Sequence, residues 1–214
     1  MPAPHSACYS PPVDDVLEGR IRELLDRGAL EDAATAAMRG YGPAAYRFLV
    51  SRIGDEDRAA DAFGQLGEDL WRGLESFRGS SSFMTWMFTL ARNAAHRIER
   101  SPSHRRRRDA TTSALEAVTQ EVRSRTAPYL RTEVKDKFRA IREELSPEER
   151  ALLHLRIDED LEWNDVARVI GGDAALDGPE LRRASMRLRK QFSELKRKLR
   201  ARAEAEGLLD VDEA

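Results

Sequence analysis

The residues with the most chemical potential lie in SFMTWMFTLARNAAHRIER, positions 82 to 100. Arg92, Asn93, His96 and Arg100 recur at spacings that gather them on one side of a helix at about 100° per residue, together with Thr85 and Thr89. Phe83, Trp86, Met87, Leu90, Ala91, Ala94 and Ile98 fall on the other side and read as core. Guanidinium forks match phosphate oxygens two at a time, and an Asn amide can pair bidentately with a base edge. The polar side therefore carries the donors that nucleic-acid binding uses. A solvated surface would show the same periodicity; the continuation into Arg105, Arg106, Arg107 and Arg108 favours a polyanion.

A second candidate lies near the C-terminus. LSPEERALLHLRID begins with Ser146 as N-cap, Pro147 at the first helical position and Glu149 where a capping box needs it. LEWNDVARVIGG follows with Trp163, Val166, Ala167 and Ile170 at helical spacing and Gly171–Gly172 as a stop. After a Gly-Pro-containing connection, a long helix is expected from Pro179 to about Arg202. Its apolar stripe is Leu181, Leu188, Phe192, Leu195 and Leu199, opposed by Arg183, Arg187, Lys190 and Arg197, with Glu194 interrupting. A short helix, a turn and a longer helix with a basic face is the layout of a helix-turn-helix, whose second helix enters the major groove. A bundle helix with a solvated cationic face is the simpler alternative.

Charge supports two contacts rather than one. Residues 78–108 carry eight Arg against Glu99 alone, and residues 180–202 carry ten Lys plus Arg against Glu180 and Glu194, in a chain whose net charge is −2. Two basic islands in an otherwise acidic chain point to two places of contact with a polyanion. A genome-level bias to Arg would explain Arg over Lys, but not the clustering. No stretch approaches the roughly 18 apolar residues of a membrane span. The start, MPAPHSACYSPPVDD, has no secretory pattern, and a single cysteine, Cys8, allows no internal disulfide. A cytoplasmic protein is expected. His5, His96, His104 and His154 show no ligand spacing, and there is no phosphate-binding glycine loop or nucleophile motif, so neither an enzyme nor a metal or cofactor is expected.

The elements that must position these residues read as helices throughout, an all-α fold without strand-like alternation. Helices are expected at about 15–27, 30–40, 43–54, 56–76 and 82–100, punctuated by GYGP and FRGSSS, with a second helical block over 131–206. Residues 1–29 form an N-terminal extension, disordered over 1–14; 30–104 a first small domain; 105–130 a flexible linker; 131–206 a helix-turn-helix domain; and 207–214 an acidic tail.

FRGSSSFMTWMFTLARN resembles the segment F-R-G-x-S-x-F-x-T-W-L-x-x-I-A-x-N of bacterial extracytoplasmic-function sigma factors, in the sigma-70 family. LSPEERALLHLRIDEDLEWNDVARVIG is similar to the start of their C-terminal domain, and the two blocks stand in the same order and separation across roughly residues 30–205. The resemblance implies a transcription initiation factor that binds RNA polymerase core at its clamp and flap regions, recognises promoter DNA and opens it without ATP hydrolysis. It assigns the minus-ten element to Phe77, Arg78, Ser82, Phe83, Arg92, Asn93, His96, Arg97 and Arg100, in a first domain like sigma region 2. It assigns the minus-thirty-five element to Arg182, Arg183, Met186, Arg187 and Lys190, in a second like region 4. Asp61, Gln65, Glu68, Asp69 and Arg72 would face polymerase, and an anti-sigma factor is a partner the resemblance admits.

Three departures are visible. The family's D-x-x-Q-E becomes Asp61 followed by Gly64 and Gln65, and Gly64 and Gly67 each weaken a helix, so the helix bends there or the partner's backbone comes close. Arg97 replaces a common Asp, and GGDAALDGPE lengthens the helix-turn-helix connection by about four residues relative to the family pattern. Two binding alternatives remain: a helix-turn-helix regulator acting without polymerase, and a helical adaptor or anti-factor that does not touch DNA.

Overall fold

A computed structural model describes residues 15–100, 113–126 and 144–205. The expectations for residues 1–14, the Arg105–Arg108 run, residues 131–143 and the acidic tail lie outside the described residues. Among those described, eight α-helices and no strand occur: α1 (Asp15–Asp26), α2 (Leu30–Ile53), α3 (Glu56–Gly73), α4 (Phe83–Arg100), α5 (Ser113–Thr126), α6 (Pro147–Leu153), α7 (Trp163–Gly171) and α8 (Gly178–Ala205). No described helix is long and apolar enough to cross a membrane.

α2 is the central element, packed against α1, α3, α4 and α5. It runs unbroken through GYGP, where the sequence predicts a boundary, with Pro43 inside the helix. An internal proline costs about 3 kcal/mol by removing a backbone bond and crowding the preceding turn. Burial on both sides of it offsets that cost: Met38, Phe48 and Leu49 are fully enclosed. The glycines serve packing. A Cβ on Gly40 would collide with Leu17 of α1, and one on Gly42 would stand 3.1 Å from Val122 Cγ1 of α5.

The stretch predicted as a flexible linker contains α5, which packs on α2 and α3 through Leu115, Val118 and Val122. A Cβ on Gly67 of α3 would stand 3.1 Å from Thr119 Oγ1 of α5. Gly67 thus sits where another helix of the same chain comes close.

The C-terminal helices form as predicted. Ser146 Oγ accepts from Glu149 N at 3.1 Å and Glu149 Oε2 accepts from Ser146 N at 2.8 Å, completing the capping box. α6 passes into one π-type turn over His154–Asp158, and Gly172 closes α7 in the left-handed region at φ 75°. Trp163 packs edge-on against Phe192, their centroids 5.5 Å apart, and Arg156 lies over its ring at 4.8 Å, joining α7 to α8.

The two groups of helices are not held apart. α2 packs on α6, α4 packs on α7, and the buried apolar residues of both groups form one continuous cluster. Arg52 of α2, 1% exposed in its side chain, links Glu99 of α4 at 3.0 Å to Glu148 of α6 at 3.2 Å. Arg150 of α6 donates through Nη2 and Nε to the carbonyl of Arg52 at 2.8 and 3.2 Å, where the C-terminus of α2 carries partial negative charge. Arg47 pairs with Glu159 at 3.3 Å, and His154 lies tilted against Phe48 at 5.8 Å.

Candidate nucleic-acid interface

The first candidate surface begins where α4 starts. Ser82 is the N-cap, its Oγ accepting from Thr85 N at 3.0 Å. A further cap comes from α1: the Glu18 carboxylate, 8% exposed, accepts from Phe83 N at 2.8 Å and Met84 N at 2.9 Å, and from Tyr41 OH at 2.9 Å. A carboxylate at the positive end of a helix dipole satisfies amides that would otherwise be orphaned. Sequence reasoning assigned Glu18 to an N-terminal extension and missed this role. Its only local signal was the acidic first turn of an amphipathic segment, and nothing there names its partners.

Around the cap, Phe77 from the preceding loop and Phe83 and Trp86 from the first turn of α4 form an aromatic trio with centroids 5.0–5.1 Å apart. Phe83 is 1% exposed, so it supports Phe77 and Trp86 from beneath and offers no open face. Arg78, Gly79 and Ser80 form the exposed tip of the loop, Gly79 with φ 69° and Arg78 donating to Glu75 O at 2.9 Å.

Along α4, Arg92, Asn93, His96 and Arg100 share one face as predicted, but their surroundings differ. Thr85 and Thr89, expected on the open side, are buried, the Thr89 hydroxyl donating to Thr85 O at 2.8 Å. Asn93 Nδ2 donates to the carbonyl of Gly172, at the end of α7, at 3.2 Å, and its Oδ1 accepts from Arg92 Nη1 at 3.1 Å. Burial, with Arg52 nearby, lowers the Arg92 pKa, while Glu148 and Glu99 partly oppose the shift. Arg97 is paired with Asp69 of α3. Arg100 is exposed and His96 half-buried.

The second surface is simpler. α8 buries Leu181, Ser185, Leu188, Phe192 and Leu195 and turns Arg182, Arg183, Met186, Arg187 and Lys190 outward; Met186 is 63% exposed. Among the described residues these four cations make no ion pair. The lengthened connection is ordered by its own bonds: Ala175 N donates to Asp173 Oδ1 at 2.9 Å and Arg168 Nε to Leu176 O at 3.1 Å. Ser185 Oγ donates to Asn164 Oδ1 at 2.8 Å, tying α8 to α7.

The residues expected to face polymerase line α3. Gln65 donates to Glu68 Oε2 and Asp69 Oδ1, each at 3.2 Å, and Arg72 pairs with Glu68 at 3.6 Å. Asp61 and Glu68 lie along the groove between α3 and α5, with Glu68 only 6% exposed. The Asp69–Arg97 pair joins this surface to the basic face of α4. Among the described residues no cluster of His, Cys, Asp or Glu has the geometry of a metal site.

The Sigma-70 region 2 family matches residues 37–111, which hold α2 from Ala37 onward, α3 and α4. The RNA polymerase sigma factor YlaC of Bacillus subtilis (strain 168) is 25% identical over 173 residues, covering 79% of this chain and 95% of that protein. No solved structure matches the chain. This all-helical chain is thus similar to the sigma-70 family over its region 2 segment, and aligns along nearly the whole of one sigma factor.

Proposed function

We propose that this chain is a sigma factor of the sigma-70 family, directing RNA polymerase core to promoters by gripping DNA at two places: the upstream element with α8 and the melted strand with α4 and the loop ahead of it. The observation that carries the reading is the outward face of α8, where four Arg and Lys side chains and Met186 stand exposed while the opposite stripe is buried. Cations held off their own protein are available to phosphates and base edges. On α4, Asn93 and His96 supply hydrogen-bonding groups and Arg92 and Arg100 the charge. Phe77 and the loop tip offer stacking and backbone contacts for an extruded base. Gln65, Asp69, Arg72 and Asp61 on α3 form the polymerase-facing surface, towards the clamp, and the C-terminal helices face the flap. An anti-sigma factor would act by covering either surface.

The test is transcription in vitro with purified core polymerase. The full chain is expected to produce start sites that core alone does not, and Arg183→Ala with Arg187→Ala to abolish dependence on the upstream element. Equal transcription by the wild type and that variant at every template would contradict the reading. A regulator that needs no polymerase would instead bind duplex DNA tightly as the free chain.

A further inference from the structure

The side of α3 read as facing polymerase spends most of its polar groups on itself. Gln65 donates to Glu68 and Asp69, Arg72 pairs with Glu68, Asp69 pairs with Arg97, and Glu68 is only 6% exposed. Gly64 and Gly67 add no side chain to the flank that meets α5. We propose that α5 completes this surface, Gln120 and Arg123 supplying contacts to core polymerase that α3 lacks, so that two helices make one polymerase site. This rests on the reading of α3 as polymerase-facing.

α5 is fixed along one stripe and open along the next. Leu115, Val118, Val122 and Thr126 are buried, and Gly42 of α2 and Gly67 of α3 admit the helix so closely that a Cβ on either would stand 3.1 Å from Val122 or Thr119. Glu116, Thr119, Gln120 and Arg123 follow at i, i+3, i+4 and i+7, which puts them on one flank. With Asp61 and Glu68 of α3 they line a single groove. Glu116 and Gln120 are exposed and Arg123 is half-buried. Among the described residues, Gln120 and Arg123 have no hydrogen-bond or ion-pair partner.

The lining says what kind of element fits. Carboxylates border the groove on both helices, Asp61 and Glu116, beside one amide and one guanidinium. A polar segment of the polymerase with a basic side chain for the carboxylates and an acceptor for Gln120 and Arg123 satisfies all of them. An apolar segment would bury them unpaired, and the carboxylates repel nucleic acid. α5 lies beyond residues 37–111, so the region 2 match does not supply this contribution.

The full-length proteins compete with a fluorescently labelled wild-type chain for purified core polymerase, without DNA. Gln120→Ala with Arg123→Ala is expected to bind about tenfold more weakly at an unchanged melting temperature. Arg125→Ala, the same loss of charge on the other side of α5, should bind like the wild type; equal weakening there would reduce the effect to net charge and overturn the proposal. Hydrogen exchange of the wild-type complex gives a readout that needs no substitution: amides of residues 113–126 should exchange more slowly once core polymerase is bound. Unchanged exchange would mean that α5 is not contacted, and faster exchange that it is displaced; either overturns the shared site. Asp61→Ala with Gln65→Ala separates the two ideas. If that pair weakens binding while the α5 pair binds as tightly as the wild type or more tightly, the shared site falls and α3 remains the polymerase face. If the α3 pair has no effect, or the wild type does not bind core polymerase, the reading of α3 falls and takes the shared site with it.

Discussion

The basic face of α4 and the basic face of α8 have the same sequence pattern and opposite fates. Each sets Arg and a hydrogen-bonding or polarisable side chain at positions i, i+1, i+4 and i+5, opposite an apolar stripe. On α8 those residues remain exposed. On α4, Asn93 is bonded to Gly172, Arg97 is paired with Asp69, and the two threonines nearer the N-terminus are buried. Amphipathic periodicity says which residues leave the helix's own core. It does not say whether another element will cover them.

The sharpest way to break the comparison is on the exposed face. Arg183→Ala with Arg187→Ala should weaken upstream-element binding by roughly 100-fold or more, since each good Arg contact contributes ~1–3 kcal/mol. Footprinting with holoenzyme measures it, and an unchanged footprint would make α8 a solvated surface. Next is the cap that positions α4. Glu18→Ala leaves the buried Phe83 and Met84 amides without their acceptor and should cost ~1–3 kcal/mol by thermal or denaturant unfolding. Glu18→Gln, which keeps an acceptor but loses the charge, should cost less.

Asn93→Ala comes third. With polymerase it should slow strand opening about tenfold, as read by permanganate reactivity of promoter thymines, while in the free chain it should barely change stability. A stability loss as large as that of Glu18→Ala would mean that Asn93 is chiefly structural.

The smallest effect is a pH dependence at the seam between the helix groups. Burial disfavours the charged form of His154, but Asp158 Oδ2 at 2.8 Å and Glu159 Oε1 at 3.2 Å outweigh it, so its pKa is raised. Arg47 also faces Glu159 across the seam. A raised pKa contributes stability that is fully present below the unfolded value of about 6.5 and is lost as pH rises through the higher folded value. The melting temperature should therefore fall modestly from pH 6 to pH 9, and the part due to this group should vanish in His154→Gln.

Much of the local structure was legible because its causes are local. The Ser146–Glu149 capping box, the Gly172 stop, the start of α4 at Ser82 and the stripe of α8 each need only neighbours within about four residues. The failures have non-local causes. GYGP reads as a boundary until α1 and α5 are seen to pack at Gly40 and Gly42, which keeps α2 whole. α5 reads as linker because it buries only a narrow apolar stripe and is stabilised by the glycine-bearing surfaces of α2 and α3.

By itself, then, the sequence determined the helices, their caps and the placing of two cationic faces, because side-chain periodicity and capping act within a turn or two. Only the tertiary structure decided that Glu18 caps α4 from a distant helix, and that α7 lies over Arg92 and Asn93. Those outcomes depend on which surfaces meet across the chain, and no spacing along it encodes that meeting.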